Sequence, residues 1–172
     1  MLRYTQHDKL TGHAMTKKVL FLVLLLLPLE LFAGGISTNY ADVFIENLAI
    51  NTEYKHNLPL KVTNRSNKKI EVVISVQIPQ KDNLKTGAEP IRDTKWIIVT
   101  PEKYILEAGQ TGLSDVFVKI PKDKKLRGRI FQFNIETCGF PSEKTGRIIV
   151  VPSLLSKVRF SVEKKKGFLG LW

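Results

Sequence analysis

Between Asp42 and Val162 the sequence predicts an all-β fold, an antiparallel β-sandwich of about seven or eight strands. Apolar residues alternate with polar ones in short runs, turn residues separate the runs at close intervals, and no stretch of useful length shows helical periodicity.

Asp42 to Ile50 (DVFIENLAI) reads as a first strand entered from a polar linker, residues 34–41. Leu58, Leu60 and Val62 alternate in the next, which ends in the turn cluster Asn64 to Lys69, rich in side chains that cap turns. Ile70, Val72, Ile74, Val76 and Ile78 form the clearest strand, stopped by Pro79, which lacks the N–H a ladder needs. Gln80 to Lys95 is a long polar connection that crosses between sheets. Trp96 to Thr100 is a short strand closed by Pro101, and Ala108-Gly109-Gln110 is a turn. Leu113 to Ile120 and Arg129 to Thr137 alternate again, with the charged loop Lys122 to Gly128 between them. Cys138 to Thr145 reads as a turn, Gly146 to Val151 as a strand broken by Pro152, and Lys157 to Val162 as its continuation after a bend. This pattern is that of an immunoglobulin-like sandwich without the antibody-type cysteine pair.

Ahead of the sandwich, Val19 to Phe32 (VLFLVLLLLPLELF) is an apolar run of about fourteen residues, preceded by Lys17-Lys18 and followed by Ala33. That is the layout of a secretory signal peptide, whose apolar region spans about 7–15 residues. Residues 15–33 are therefore expected to be the signal, starting at Met15, with residues 1–14 an upstream extension. Leu31 at the third position before the cut is permissive, and the absence of a following cysteine argues against a lipoprotein anchor. The alternative is an uncleaved anchor to the inner membrane, although a spanning helix needs roughly 20 apolar residues and this run carries Pro28 and Glu30. The expected location is the periplasm or the cell surface of a bacterium, or the secreted medium.

The formal net charge is +11, and cleavage after Ala33 removes four basic and two acidic side chains, leaving +9. Export removes nucleic acid as a partner and points instead to anionic headgroups, acidic envelope polymers or an acidic protein face. The plainer account is that lysine-rich loops keep a β-protein soluble and blunt its edges. Cys138 is the sole cysteine, so neither an internal disulfide nor a cysteine zinc cluster can form.

Signals of catalysis are weak. His56 is the sole histidine after cleavage, with no carboxylate or cysteine placed beside it, and reads as a solvated loop residue. Cys138 reads as a small buried or strand-end residue. Asp82, Glu89 and Asp93 are too dispersed for a calcium loop, and no phosphate loop or nucleophile elbow is present. Neither a cofactor nor a metal is expected. Asn64-Arg65-Ser66 matches a glycosylation acceptor, a chance match in a protein with a signal of bacterial type.

The run Trp96-Ile97-Ile98-Val99-Thr100-Pro101-Glu102-Lys103-Tyr104-Ile105-Leu106-Glu107-Ala108-Gly109-Gln110, followed by Val116 to Pro121, resembles the middle of the amino-terminal domain of periplasmic pilus-assembly chaperones. The sharp likeness covers about 25 residues and holds at superfamily level. In it Pro101 ends a strand, Tyr104 and Leu106 pin the crossing segment to the core, and Gly109 permits the reversal. Those chaperones carry a second β-domain and a basic pair that hold a subunit's terminal carboxylate; residues after Val162 offer no counterpart, so no site residue is carried over. The resemblance implies a mode, in which an exposed edge strand joins a partner's sheet. Gly146 to Val151 is the candidate edge, with Ile148 and Val150 presented outward and Ile149 and Val151 facing the core; the alternative is that this strand is paired within its own sheet.

The tail, residues 163–172, sets Lys164, Lys165 and Lys166 against Phe168, Leu169, Leu171 and Trp172, a combination that suits peripheral contact with a membrane interface, the alternative being a frayed terminus. The sequence thus describes an exported, non-enzymatic sandwich that binds another envelope or surface protein, as a chaperone-like or accessory factor in envelope or surface-fibre assembly. A structural surface or fimbrial subunit, or a basic binder of anionic envelope polymers or membrane, are the alternatives.

Overall fold

The computed structural model describes residues 35–142 and 150–164. They form eleven strands: β1 (Ile36–Thr38), β2 (Asp42–Leu48), β3 (Thr52–Lys55), β4 (Leu60–Asn64), β5 (Ile70–Gln77), β6 (Glu89–Pro90), β7 (Ile97–Thr100), β8 (Lys103–Leu106), β9 (Thr111–Ile120), β10 (Ile130–Pro141) and β11 (Ser153–Val162). The described regular structure other than strand is three single 3₁₀ turns, at Lys81–Asn83, Thr94–Trp96 and Lys124–Leu126. The fold is the all-β sandwich that the alternation predicts.

In the first sheet β9 is central. β3 and β4 pair with its two halves, β7 pairs with its second half and β1 pairs with β4. The second sheet runs β2-β11-β10-β5-β8, with β6 beside the start of β10. Most pairs are antiparallel, but β2 runs parallel to β11 and β6 parallel to β10. The first strand of the sequence reading is β2, and a further strand precedes it. β1 lies within the stretch read as a linker and belongs to the first sheet, whereas β2 belongs to the second.

Period two decides what is buried. Val116, Val118 and Ile120 of β9 face Phe131, Phe133 and Ile135 of β10 and Val158, Phe160 and Val162 of β11, all nearly or fully buried. Among the described residues, every buried apolar side chain of the core lies between Ile36 and Val162. At roughly 25 cal/mol per Å² of apolar surface, each buried phenylalanine or leucine contributes about 1.5–3 kcal/mol.

The long connection after β5 is not loose. Gln132 of β10 is fully buried, accepts a hydrogen bond from the Lys85 N–H at 2.9 Å and donates one to the Asn83 carbonyl at 2.9 Å, while Ile91 inserts into the core. Thr100-Pro101, a cis peptide, marks the crossing from β7 in the first sheet to β8 in the second. Leu106 is buried there and Tyr104 packs against the core. A Cβ at Gly112 would run into the Tyr104 ring, so the close approach of that ring requires glycine. Gly109 turns the chain at φ +73°, in the left-handed region.

β10 runs to Pro141, through the Cys138 to Pro141 stretch read as a turn, because Cys138, Gly139, Phe140 and Pro141 pair with Val73, Val72, Glu71 and Ile70 of β5. β11 starts at Ser153 rather than Lys157, and Val150 and Val151 lie ahead of it outside any strand.

Candidate partner-binding edge

β11 has two neighbours over part of its length. β10 pairs with it from Ser153 to Ser161, but β2 pairs only with Lys157 to Val162. Among the described residues, no strand lies on the outer side of Ser153 to Ser156. The direction of the backbone groups follows from two hydrogen bonds. The Lys157 N–H reaches outward to the Ala41 carbonyl at 3.0 Å, while the Pro152 carbonyl accepts inward from the Gly139 N–H at 3.0 Å. Backbone groups alternate sides along a strand, so the N–H and C=O of Ser153 and Leu155 face the open edge and those of Leu154 and Ser156 face β10.

The point where the edge opens is fixed by the crossing from β1 to β2. The Asn39 side chain donates to the Pro59 carbonyl at 3.0 Å and accepts from the Lys61 N–H at 2.7 Å, and the Tyr40 hydroxyl donates to the Leu58 carbonyl. Ser156 Oγ then donates to the Tyr40 carbonyl at 2.7 Å, tying the crossing to β11 one residue before β2 takes over. Tyr40 is almost fully buried, and its phenol is raised well above the usual tyrosine range by burial first and by the Asp115 charge second.

The open stretch is apolar. Leu154 continues the inward series of Ser156, Val158, Phe160 and Val162, yet at the rim of the sandwich it is 36% exposed; Leu155, on the outer face, is 49% exposed. Val151 and Val150, ahead of the strand, are 37% and 78% exposed. Val151 was expected to face the core, and Pro152 and the rim position account for the difference. Beside them opens a cleft of about 190 Å³ lined by Gly35, Ile70, Gly139, Pro141, Val150 and Pro152 with the Ser66–Lys68 turn. On the outer face Glu136 stands opposite Leu155 and accepts hydrogen bonds from Ser153 Oγ at 3.1 Å and Gln77 Nε2 at 3.2 Å. β7 also has one unpaired side among the described residues, but it is four residues long, a common way to blunt an edge.

Of the site residues named from sequence, Val150 lies at this edge and Lys164 lies exposed just past β11. Ile148, Lys165, Lys166 and Trp172 fall outside the described residues. Sequence reasoning missed Ser153, Leu154 and Leu155. The signal was there, since the inward alternation of Val162, Phe160, Val158 and Ser156 extends back to Leu154 without a break.

The residues weighed for chemistry are apart. His56 is half-buried rather than solvated, its ring 5.8 Å from Tyr40 and 6.4 Å from Tyr54, and burial holds it below the usual histidine range. Cys138 lies mid-strand on the outer face, half-exposed, with Sγ 3.6 Å from Ser153 Oγ. Among the described residues no three His, Cys, Asp or Glu side chains gather as metal ligands, and no helix is long and apolar enough to cross a membrane.

No protein-family model matches this sequence, and no curated protein matches it. Solved structures do. A PapD-like domain of human CEP192 superposes with a TM-score of 0.58 at 10% identity, covering 77% of this chain and 88% of that one. The fold is PapD-like. A Salmonella enterica structure of the SafA pilin in complex with the SafB chaperone gives a TM-score of 0.53 at 20% identity over 78% of this chain, and the E. coli chaperone DraB gives 0.51 at 16% over 78%. This chain spans 57% and 58% of the length of those two. At such identities the likeness establishes the immunoglobulin-like fold alone.

Proposed function

We propose that this protein is exported and binds a partner protein by accepting an extended segment of it along the open half of β11, as a chaperone-like or accessory factor in bacterial envelope or surface-fibre assembly. The observation that carries the reading is the pair of edge-facing residues Ser153 and Leu155, beside which no strand pairs among the described residues, while β2 pairs with the next residues of the same strand. An added strand would satisfy those groups, and its alternate side chains would meet Leu154 at the rim and Leu155 beside Glu136. The role is binding rather than catalysis.

The PapD-like fold supports this reading, as does the pilin that accompanies the SafB chaperone in the Salmonella structure. The signal-like segment 15–33 supports export, with an uncleaved anchor as the alternative placement.

Leu155→Pro tests the mode. It removes the edge-facing N–H without touching a hydrogen bond to β10, so the fold stays while strand addition is blocked. Residues 34–172, displayed in a periplasm and used to capture partners from envelope extract, are expected to retain one protein at high salt and to lose it in Leu155→Pro. Equal capture by the folded proline variant would overturn the mode. Growth of the free chain into dimers or fibres that Leu155→Pro abolishes would instead identify a structural subunit that pairs with itself.

A further inference from the structure

Two basic segments that the sequence separates meet at the far end of the sandwich from the open edge. The first is the loop from Lys122 to Gly128, with four basic side chains against one acid. Leu126 is buried and anchors it, and the Asp123 carboxylate accepts from the Lys125 N–H at 2.8 Å, fixing the 3₁₀ turn so that Lys122, Lys124 and Lys125 stand exposed. The second is the start of the tail. The Gly128 N–H donates to the Val162 carbonyl at 3.1 Å and the Glu163 carbonyl at 3.2 Å, and a Cβ on Gly128 would lie 3.7 Å from Lys164 Cγ.

The two acids within these segments are already matched. Asp123 pairs with Arg92 at 3.7 Å and Glu163 with Arg127 at 3.2 Å. Among the described residues, Lys122, Lys124, Lys125 and Lys164 have no acidic partner; Lys55, Lys69, Lys85 and Lys103 are each paired, while Lys61, Lys68, Lys81, Lys95, Lys119 and Lys157 are not but lie outside these two segments. The sequence continues from Lys164 with two further lysines and then Gly167-Phe168-Leu169-Gly170-Leu171-Trp172.

We infer that this basic pole docks on an anionic lipid bilayer, with the open edge of β11 turned away from it. Uncompensated lysines on one surface gain from the potential of anionic headgroups. Phenylalanine, leucine and tryptophan directly behind those lysines in sequence suit the headgroup boundary, a gain that a soluble polyanion does not offer. Docking here leaves Ser153 to Leu155 accessible, because β11 runs from the open edge to the pole.

The test measures binding of residues 34–172 to phosphatidylcholine vesicles with and without phosphatidylglycerol, and to soluble dextran sulfate. Vesicle binding is expected only with phosphatidylglycerol, weakening as salt rises. Reversing Lys122, Lys124 and Lys125 to glutamate is expected to weaken it on the order of a hundredfold, at an unchanged melting temperature. If that variant fails to fold, Lys122→Gln with Lys164→Gln carries the same test with a smaller effect. Deleting residues 168–172 is expected to weaken vesicle binding several-fold and to leave dextran sulfate binding unchanged. Equal binding to neutral vesicles, indifference of folded lysine variants, or vesicle binding that does not respond to the deletion each overturns the inference.

Discussion

Ser153–Ser156 and Lys157–Val162 belong to one strand and share one neighbour, β10, yet among the described residues only the second set has another strand on its far side. Composition does not explain the difference, because both halves mix apolar and polar residues. The first strand of the chain decides it. The chain leaves the first sheet at the end of β1, crosses at Asn39 to Ala41 and continues as β2, which pairs with β11 only from Lys157 onward, so the crossing point sets how much edge stays open. An edge can thus be partly covered and partly exposed within a single strand, and the boundary is held by Asn39 and Tyr40, remote from it in sequence, together with Ser156 beside it.

The largest effect is expected at the boundary. Tyr40→Ala removes a buried ring and its hydrogen bond to the Leu58 carbonyl, and should cost about 3–5 kcal/mol of stability by chemical denaturation. If the ring holds the crossing, hydrogen exchange should also accelerate at Lys157, extending the open region toward Arg159.

Proline substitutions sharpen the contrast between the two halves. Lys157→Pro destroys the hydrogen bond to Ala41 and should destabilise by roughly 2–3 kcal/mol, whereas Leu155→Pro should cost below about 1 kcal/mol. Equal costs at the two positions would mean that the edge is closed. Smaller still is the replacement of Leu155 by serine, which should leave stability within about 0.5 kcal/mol while weakening partner capture.

The least effect concerns pH. Burial lowers the pKa of His56, which packs against Tyr40 at the boundary. Above the unfolded value of roughly 6.5 both states are neutral and the residue adds no pH dependence. As pH falls through that value, the unfolded chain takes up a proton that the folded chain resists, so stability should decline toward acid, and His56→Gln should flatten that slope. Urea midpoints across this range check the sign.

Much of the frame is legible in the sequence, and the exceptions share a physical cause. β5 shows in the alternation of Ile70, Val72 and Ile74, and the turn at Gly109 in its glycine, because each is determined by its own residues. β1, the extension of β10 through Gly139 and Phe140, and the start of β11 at Ser153 are determined by partners distant in the chain, and local turn chemistry at Gly139 and Pro141 yields to eight aligned residue pairs with β5. The candidate edge shows the same division. Sequence led to Val150, near the opening, but which backbone groups are uncovered depends on where β2 begins to pair.

Amide hydrogen exchange of residues 34–172 in the free state, resolved to single residues along β11, tests the open edge most directly. The Leu155 amide is expected to exchange quickly and the Lys157 amide slowly, although they are two residues apart in one strand, with Leu155 slowing once a partner is bound. Protection of Leu155 equal to that of Lys157 in the free chain would contradict the account.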